Sequence, residues 1–200
     1  MTSTLIAPRA ILRDETGRAL AAPADRWFRA AEPAEERALD AVRGPALDIG
    51  CGPGRHVLAL SERGIPTLGI DITEGALFHA RARGVPVLAR CVFDHVPGSG
   101  RWRSALLLDG NLGIGGDPVQ LLRRVRELLA PNGEILLELE APGHKMERRR
   151  VHFEIDGAVG PSFDWTSVDI DGLADVAAAA DLRVHRCWTD DHRWFAWVGR

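Results

Sequence analysis

Most of this chain consists of short apolar runs, each followed by a longer segment whose apolar residues have helical spacing. Five apolar runs predict strands, at residues 46–51, 66–71, 85–92, 104–109 and 134–139. The fourth run contains Ala105-Leu106-Leu107-Leu108, the continuous apolar sequence of a strand buried on both faces of a parallel sheet. Because strands alternate with helices, we predict an α/β fold with a doubly wound sheet and right-handed crossovers.

The segments between these strands have the start and stop signals of helices. Residues 55–63 and 74–83 are each followed by a glycine, which commonly ends a helix. Asp117 and Pro118 open the next helix, as an N-cap acid followed by a proline at the first helical position. The pattern therefore predicts helices that cross over between parallel strands.

The N-terminal part has a weaker pattern than this core. Residues 1–23 carry two prolines and predict a partly ordered leader. Residues 24–42 are rich in charges and alanine, so they predict one helix, anchored by Trp27 and Phe28. The Gly44-Pro45 pair then breaks the pattern before the first strand of the core.

An insertion at residues 141–168 interrupts the alternation. Residues 151–156 alternate apolar and polar as a strand does, and 157–160 can turn the chain into a second strand. A hairpin over the mouth of the sheet would act as a lid that excludes water from a pocket. After the insertion, the sequence of residues 173–180 predicts a helix.

The chain ends in a pattern typical of a β-hairpin. Residues 183–188 and 193–198 predict two strands, and the polar segment 190–192 joins them. We predict one domain over residues 1–200. Its parts are the leader and first helix (1–43), a ligand-binding core (44–140), the lid-like insertion (141–168) and the final helix with its hairpin (169–200).

The most informative motif is a glycine-rich loop directly after the first core strand. Gly50, Gly52 and Gly54 stand at every second position, with Asp48 before them and Asp71 at the tip of the next strand. Glycine allows a positive φ and the close approach of a ligand. An acid at the tip of the second strand can accept hydrogen bonds from a ribose.

Two kinds of nucleoside ligand are compatible with such a unit. A dinucleotide site has a third glycine where this chain has Arg55, and a pyrophosphate disfavours a nearby carboxylate such as Asp48. Asp48 suits a cationic ligand instead. S-adenosylmethionine carries an ammonium and a sulfonium but no phosphate.

With this loop and Asp71, the sequence resembles the class I S-adenosylmethionine-dependent methyltransferases, in particular the small bacterial type that acts on small molecules. The resemblance implies a mainly parallel seven-stranded sheet of order 3-2-1-4-5-7-6 with a C-terminal antiparallel hairpin. It also implies that the loop backbone cradles the methionine part of the cofactor, with Asp48 near its amino group. Asp71 would hold the ribose, and Ile72 would pack on the adenine.

Two later segments complete the cofactor site that the resemblance implies. The acid that usually follows the third strand is replaced by Val92 and Phe93, with Asp94 later than the usual position. Asp109 and Asn111 belong to a glycine-rich loop at the end of a central strand. The alternative interpretation of this loop is a simple connector in which Asn111 only satisfies its own turn. The predicted cofactor-binding residues are Asp48, Gly50, Cys51, Gly52, Gly54, Asp71, Ile72, Val92, Phe93, Asp94, Asp109 and Asn111.

Acceptor-binding candidates come from the insertion, the first helix and the glycine-rich loop. They are Trp27, Asn111, His144, Arg148 and Trp165. Arg148 begins a run of three arginines that could meet an anionic group, although such a run is more often a solvated face. The loop after the fourth strand lacks the N/D-P-P-Y sequence of enzymes that methylate nucleic-acid amino groups, which argues against a flipped base.

The composition and charge of the chain limit the classes of binding partner that we expect. The net charge is −3, so no chain-wide basic field attracts nucleic acid. No run approaches the roughly 18 apolar residues of a membrane span, and the start of the chain lacks the features of a signal peptide. The three cysteines are far apart, which predicts a reducing cytoplasm without disulfides, and the seven histidines show no metal-site spacing.

We therefore predict an enzyme that moves a methyl group from S-adenosylmethionine to a small-molecule acceptor by in-line displacement, leaving S-adenosylhomocysteine. Two alternatives remain at this point. One is a non-catalytic module that only binds S-adenosylmethionine. The other is an NAD(P)-linked oxidoreductase that uses the same strand, glycine loop and acid. The sequence predicts neither a catalytic base nor an oligomeric state.

Overall fold

A computed structural model describes residues 10–20, 24–155 and 157–200 of the chain. The strands are β1 (Ala10–Asp14), β2 (Ala46–Ile49), β3 (Thr67–Asp71), β4 (Val87–Ala89), β5 (Trp102–Leu107), β6 (Leu129–Leu139), β7 (Glu147–Ile155), β8 (Ala158–Val159), β9 (Phe163–Ser167), β10 (Arg183–Asp190) and β11 (Arg193–Gly199). The α-helices are α1 (Pro33–Leu39), α2 (Arg55–Glu62), α3 (Glu74–Ala82), α4 (Pro118–Leu128) and α5 (Leu173–Ala179). Two 3-10 helices lie at Ala24–Phe28 and Asn111–Gly113.

Seven strands form the main sheet in the order β4-β3-β2-β5-β6-β11-β10. The pairs among β2 to β6 are parallel, whereas β11 runs antiparallel to both β6 and β10. With the core strands numbered from β2, this order is the predicted 3-2-1-4-5-7-6. The predicted fold class and the C-terminal hairpin are therefore confirmed.

The central strand β5 is buried on both faces, as its apolar sequence predicts. Leu106 packs with residues of α1 and α2 on one face, and Leu107 packs with residues of α4 and α5 on the other. Consecutive strand residues point to opposite faces, so one strand supplies both halves of the core. Within the described residues, no helix is long and apolar enough to cross a membrane.

Several element boundaries differ from the predictions. The single helix predicted over 24–42 is two pieces, the 3-10 helix and α1, because Pro33 starts a new helix after the extended residue Glu32. Glu32 and Glu35 form a capping box at that start. Strand β4 has three residues instead of eight, and β6 starts at Leu129, directly after α4, instead of at residue 134.

The insertion forms a second, smaller sheet. Strand β7 pairs antiparallel with β8 and β9, so the predicted hairpin is present, although β7 starts earlier than predicted. Strand β1 pairs with β7 from the other side, and the leader prediction missed this strand. Residues 1–9 and 21–23, also part of the predicted leader, lie outside the described residues.

Gly69 in β3 controls how closely the glycine loop and α2 approach the sheet. A Cβ at this position would lie 2.7 Å from Cys51 Sγ and 2.8 Å from Val57 Cγ2. We predict that Gly69→Ala lowers the stability by roughly 1–3 kcal/mol through overpacking. Thermal unfolding should show a midpoint lower by roughly 2–10 °C.

Gly75→Ala is the matched control for this substitution. Gly75 lies in α3, and a Cβ there would have no neighbour within 4 Å. Alanine favours helix over glycine, so the control should match or exceed wild-type stability. Equal midpoints for the two variants would show that the close contact at Gly69 does not limit the fold.

Candidate functional site

The glycine loop that follows β2 has the backbone conformation that its sequence predicts. Gly50, Gly52 and Gly54 have φ values of 72°, 52° and 81°. A Cβ at Gly50 would lie 2.7 Å from Asn111 Nδ2, whereas a Cβ at Gly52 would have no neighbour within 4 Å. Gly50 is thus required by packing, and the surface at Gly52 is left open for a ligand to approach.

Asp71, at the end of β3, is tied to this loop. Its Oδ2 accepts a hydrogen bond from the backbone N–H of Gly52 at 2.8 Å, and its Oδ1 accepts one from Thr73 at 2.7 Å. Each carboxylate oxygen has a second lone pair, so these bonds leave acceptor capacity for a ligand. Asp71 therefore holds Thr73, the N-cap residue of α3, and also fixes the loop.

A cavity of about 710 Å³ lies at the carboxyl ends of the central strands, between the glycine loop and the small sheet. This volume is within the usual range for small-molecule sites. Nine of the predicted cofactor residues line it: Gly50, Cys51, Gly52, Asp71, Ile72, Val92, Phe93, Asp109 and Asn111. Ile72 is 68% exposed and Phe93 36% exposed, so both present apolar surface next to the cavity.

Three predicted cofactor residues lie outside the cavity wall. Asp48 is buried beneath the loop, with 1% of its surface exposed. Gly54 is the N-cap of α2 and packs against α3 and Val85. Asp94 is exposed, and its backbone carbonyl accepts a hydrogen bond from Arg124.

Of the predicted acceptor residues, the cavity wall includes Trp27, Asn111 and Trp165. His144 is exposed outside it. Arg148 also points away and pairs with Asp164 at 2.6 Å. Side chains alternate along β7, so Arg149 and Phe153 line the cavity instead.

Four aromatic side chains form one wall of the cavity, here called the aromatic wall: Trp27, Phe153, Phe163 and Trp165. Trp27 meets Phe153 edge-on, with ring centroids 5.6 Å apart. Phe153 and Phe163 are 5.4 Å apart, and Phe163 and Trp165 are 6.1 Å apart. The sequence analysis did not single out Phe153, although alternation along β7 places it on the same face as Val151, which is fully buried.

Asn111 connects the loop after β5 to the glycine loop. Its Nδ2 donates hydrogen bonds to the backbone carbonyls of Ile49 at 2.9 Å and Gly50 at 3.0 Å. Since Asn111 also lines the cavity, one side chain sets the separation of two loops that form the wall. It is therefore more than a connector residue that satisfies its own turn.

Beneath these loops lies a closed ring of buried and partly buried charges, here called the ion-pair ring: Glu35, Arg55, Asp109, Glu138 and Arg193. Arg55 donates to both carboxylate oxygens of Asp109, at 2.7 and 2.8 Å, and to Glu35. Arg193 donates to Glu35 at 2.8 Å and to both oxygens of Glu138, at 2.8 and 2.7 Å. The backbone N–H of Asp109 closes the ring through a 2.8 Å bond to Glu138.

Ion pairing offsets the free-energy cost of burying these charged groups. Glu35 is completely buried and Arg55 is 4% exposed. Burial alone would raise the pKa of Glu35, but His56 and Arg55 hold that pKa well below its usual value. Burial likewise opposes ionisation of Asp109, yet Arg55, His56 and Arg26 keep its pKa lowered. Both acids are thus held as carboxylates.

Sequence reasoning treated Arg55 only as the residue that replaces a third glycine, and it missed the rest of the ring. Glu138, a charged residue in the apolar sequence of β6, was the available signal. Asp109 faces the cavity as predicted, but its carboxylate also accepts a 2.7 Å bond from Arg26 of the first 3-10 helix. Its charge is therefore already balanced by protein groups.

Glu35, His56 and Asp109 place one potential metal-ligand atom each within 4.8 Å of the others. However, guanidinium groups already occupy this cluster, because Arg55 binds both carboxylates and Arg193 binds Glu35. A divalent cation would have to displace a buried arginine. The donor set is matched to arginine and not to a metal ion.

Asp48 differs from the acids of the ring because it has no direct charge partner. Its Oδ2 is buried without a hydrogen bond, 3.9 Å from His56 Nδ1. Burial raises the pKa of Asp48 to about 6, although His56 and Arg55 partly offset this effect. Asp109 and Asp71 add to the increase. Asp48 is thus a carboxylate whose charge a cationic ligand would stabilise.

Comparison with known proteins gives a family match and related structures. Residues 46–133 match the family model of a methyltransferase domain. An uncharacterised protein of Mycobacterium tuberculosis is 35% identical over 116 residues, which are 58% of this chain and 39% of that protein. The chain thus matches only about two fifths of the length of this curated relative.

Two solved structures are similar over most of the chain. A methyltransferase from Bacteroides fragilis, solved with S-adenosyl-L-homocysteine, has a TM-score of 0.78 and 25% identity, covering 98% of this chain and 89% of that chain. The CcbJ methyltransferase from Streptomyces caelestis has a TM-score of 0.67 and 15% identity, covering 86% and 91%. The second likeness concerns the fold alone.

Arg55 is the residue whose loss should damage the ion-pair ring most. We predict that Arg55→Met lowers the stability by roughly 3–5 kcal/mol, because Glu35 and Asp109 would each lose a buried partner. Thermal unfolding should show a midpoint lower by roughly 6–20 °C. Circular dichroism would report whether the variant still folds at low temperature.

Arg37→Met provides the control, since Arg37 makes an equally short bidentate pair with Asp190 on the surface. Exposed ion pairs contribute little, so this variant should unfold close to the wild-type midpoint. If both variants lost the same stability, burial would not be what gives the ring its importance.

Proposed function

We propose that this chain, which belongs to the class I S-adenosylmethionine-dependent methyltransferases, transfers a methyl group from S-adenosylmethionine to a small-molecule acceptor. The observation that carries this proposal is one continuous cavity with two different ends. The glycine loop and Asp71 form one end, and the aromatic wall forms the other. A nucleoside and a small acceptor can therefore meet in the same space.

The cofactor end is suited to S-adenosylmethionine by its donors and its open surface. The backbone at Gly52 leaves room for a ligand, and Asp71 has free lone pairs for two ribose hydroxyls. Ile72 and Phe93 offer apolar surface for a planar base. The unpartnered Oδ2 of Asp48 lies beneath the loop, where its charge would attract an ammonium group.

When bound, S-adenosylmethionine supplies a methyl group on a cationic sulfur, which a nucleophile can attack in line. The chain's contribution is alignment of the acceptor at about 3 Å from that carbon, and exclusion of water. The aromatic wall serves both purposes. His144 and His152, the two histidines of the insertion, are absent from the cavity wall, so neither is placed to take a proton from the acceptor.

An NAD(P)-linked oxidoreductase is less well supported. Arg55, at the position of the third glycine, is fully engaged with two carboxylates and offers nothing to a pyrophosphate. Asp48 beneath the loop would repel phosphate groups. A module that only binds the cofactor would not require the aromatic wall, so we favour the enzyme.

We further propose a small-molecule acceptor and a cytoplasmic location. The net charge of −3 gives no general attraction for nucleic acid. Cys51, Cys91 and Cys187 are free thiols, as is usual in a reducing compartment. The match covers only 39% of the length of the curated relative. The activity of the complete protein is therefore proposed here and does not follow from that relative.

The cofactor assignment predicts a specific stabilisation by S-adenosylhomocysteine. At about 100 times its dissociation constant, this ligand should add roughly 2.7 kcal/mol of stability. The midpoint of thermal unfolding should then rise by roughly 5–10 °C, whereas NAD and NADP should have no effect. Asp71→Asn should weaken binding of S-adenosylhomocysteine at least about tenfold, because charge-assisted hydrogen bonds to the ribose are lost.

Asp94→Asn is the matched control for Asp71→Asn, because Asp94 is an exposed acid outside the cavity wall. Its affinity for S-adenosylhomocysteine should stay at the wild-type level in calorimetry. Unchanged affinity in a folded Asp71→Asn variant would refute the ribose role of Asp71. A shift with NAD or NADP alone would refute the proposed function itself.

The raised pKa of Asp48 predicts how the affinity for S-adenosylhomocysteine depends on pH. Its raised pKa of about 6 means that the carboxylate forms only as the pH passes through that value. An ammonium ligand binds the ionised form better, so the affinity for S-adenosylhomocysteine should increase between pH 5 and 7, by up to about tenfold. Calorimetry at several pH values measures this directly.

Asp48→Asn keeps the shape of the side chain but removes its titration. The increase in affinity between pH 5 and 7 should disappear in this variant, and the affinity at pH 7 should fall. If the variant keeps the wild-type pH profile, the carboxylate of Asp48 is not the group responsible for it. The affinity rises with pH in the wild type because the ionised form of Asp48, which forms above its pKa of about 6, is the form that attracts the ammonium group.

A further inference from the structure

The charged residues of the cavity wall divide into paired and unpaired groups. Seven such residues line the cavity: Arg55, Asp71, Glu74, Arg90, Asp109, Glu140 and Arg149. Five of them are held by other protein groups, through the ion-pair ring, backbone amides or neighbouring ion pairs. Within the described residues, the side chains of Arg90 and Glu140 have no such partner.

The two unpaired charges lie at opposite ends of the cavity. Arg90 follows β4, and Glu140 follows β6. The sheet order places β3, β2 and β5 between them, so they are separated by four strand spacings, or roughly 19 Å. Arg90 therefore belongs to the end with Asp71, whereas Glu140 belongs to the acceptor end.

Glu140 has a fixed backbone and a free carboxylate. Its N–H donates to the carbonyl of Val168 at 3.0 Å, and its carbonyl accepts from Ile170 at 3.2 Å. Its side chain is exposed at the junction of the main cavity with a second cavity of about 380 Å³. Trp27 of the aromatic wall also lines both cavities, so an aromatic face and an unpaired negative charge occur together.

We propose that the acceptor is a primary alkylamine attached to a planar aromatic ring, with the ring against the aromatic wall and the amino group bound by Glu140. This inference rests on the proposed function and names its substrate class. The faces of aromatic side chains attract cations, as does a carboxylate, so both features favour an ammonium group. An acceptor that carries a carboxylate or phosphate at this position would be repelled by Glu140.

The chemistry also gives Glu140 a role in proton transfer. The carboxylate takes one proton from the bound ammonium, which frees the lone pair of nitrogen. The nitrogen then bonds to the methyl carbon, and the electron pair of the breaking carbon–sulfur bond remains on sulfur. The product is a methylammonium ion, which carries the positive charge that the sulfonium brought, and the exposed Glu140 returns its proton to water.

A series of indole compounds with one ring system and different head groups tests this inference. Tryptamine carries an ammonium, tryptophol a hydroxyl and indole-3-propionate a carboxylate. With S-adenosylhomocysteine present, tryptamine should stabilise the protein further and the other two should not. With S-adenosylmethionine, methyl transfer to tryptamine should exceed transfer to the other two at least about tenfold. Butylamine, which lacks the ring, should be a poor acceptor.

Glu140→Gln should lower kcat/KM for tryptamine at least about tenfold, because a charge-assisted hydrogen bond and the proton acceptor are lost. Glu62→Gln, at the exposed end of α2, is the control and should behave as wild type. Both variants should bind S-adenosylhomocysteine normally, which separates this test from that of the proposed function.

Three outcomes would overturn the inference. They are a preference for tryptophol or indole-3-propionate, wild-type kcat/KM for tryptamine in Glu140→Gln, and absence of any response to tryptamine in protein that binds S-adenosylhomocysteine. In each case the cofactor assignment would stand. Absence of S-adenosylhomocysteine binding would instead refute the proposed function.

Discussion

The ion-pair ring is the constraint on which the rest of the site depends. Its members come from α1, α2, the end of β5, β6 and β11, so it joins segments that are distant in sequence. A buried charge that loses its partner is strongly unfavourable. The ring therefore ties these segments to one another, and the loops above them stand on this common base.

This rigidity reaches the cavity through Asp109. The residue has a φ of 56°, a left-handed conformation that is uncommon for a residue with a side chain. Its carboxylate is held by Arg55 and its N–H by Glu138, which offset the strain of that conformation. The following residues turn so that Asn111 reaches the carbonyls of the glycine loop. The contacts that stabilise the fold at this point are thus the same contacts that set the geometry of the site.

The features predictable from sequence are those that depend on local patterns. The strand order and the glycine loop follow from periodicity and from the need for positive φ, and the structure has both. The ion-pair ring could not be predicted in the same way, because the bond between Arg193 and Glu35 joins residues 158 positions apart. The same applies to β1, which pairs with β7 at separations of 137 to 145 positions. It also applies to the choice of Arg149 over Arg148, which depends on how β7 pairs with β9.

The site also divides between the segment that matches the methyltransferase-domain model and the segments that lie outside this match. The methyltransferase-domain match covers residues 46–133, which include the glycine loop, Asp71, Asp109 and Asn111. All four residues of the aromatic wall, and Glu140, lie outside that range. They come from the first 3-10 helix, the small sheet and the end of β6. The matched segment thus contains the residues of the proposed cofactor end of the cavity, and the aromatic wall and Glu140 of the proposed acceptor end lie outside it. Three of the four residues of the aromatic wall stand on β7 and β9, which contribute no residue to the ion-pair ring, so substitutions at these three positions would leave the ring intact.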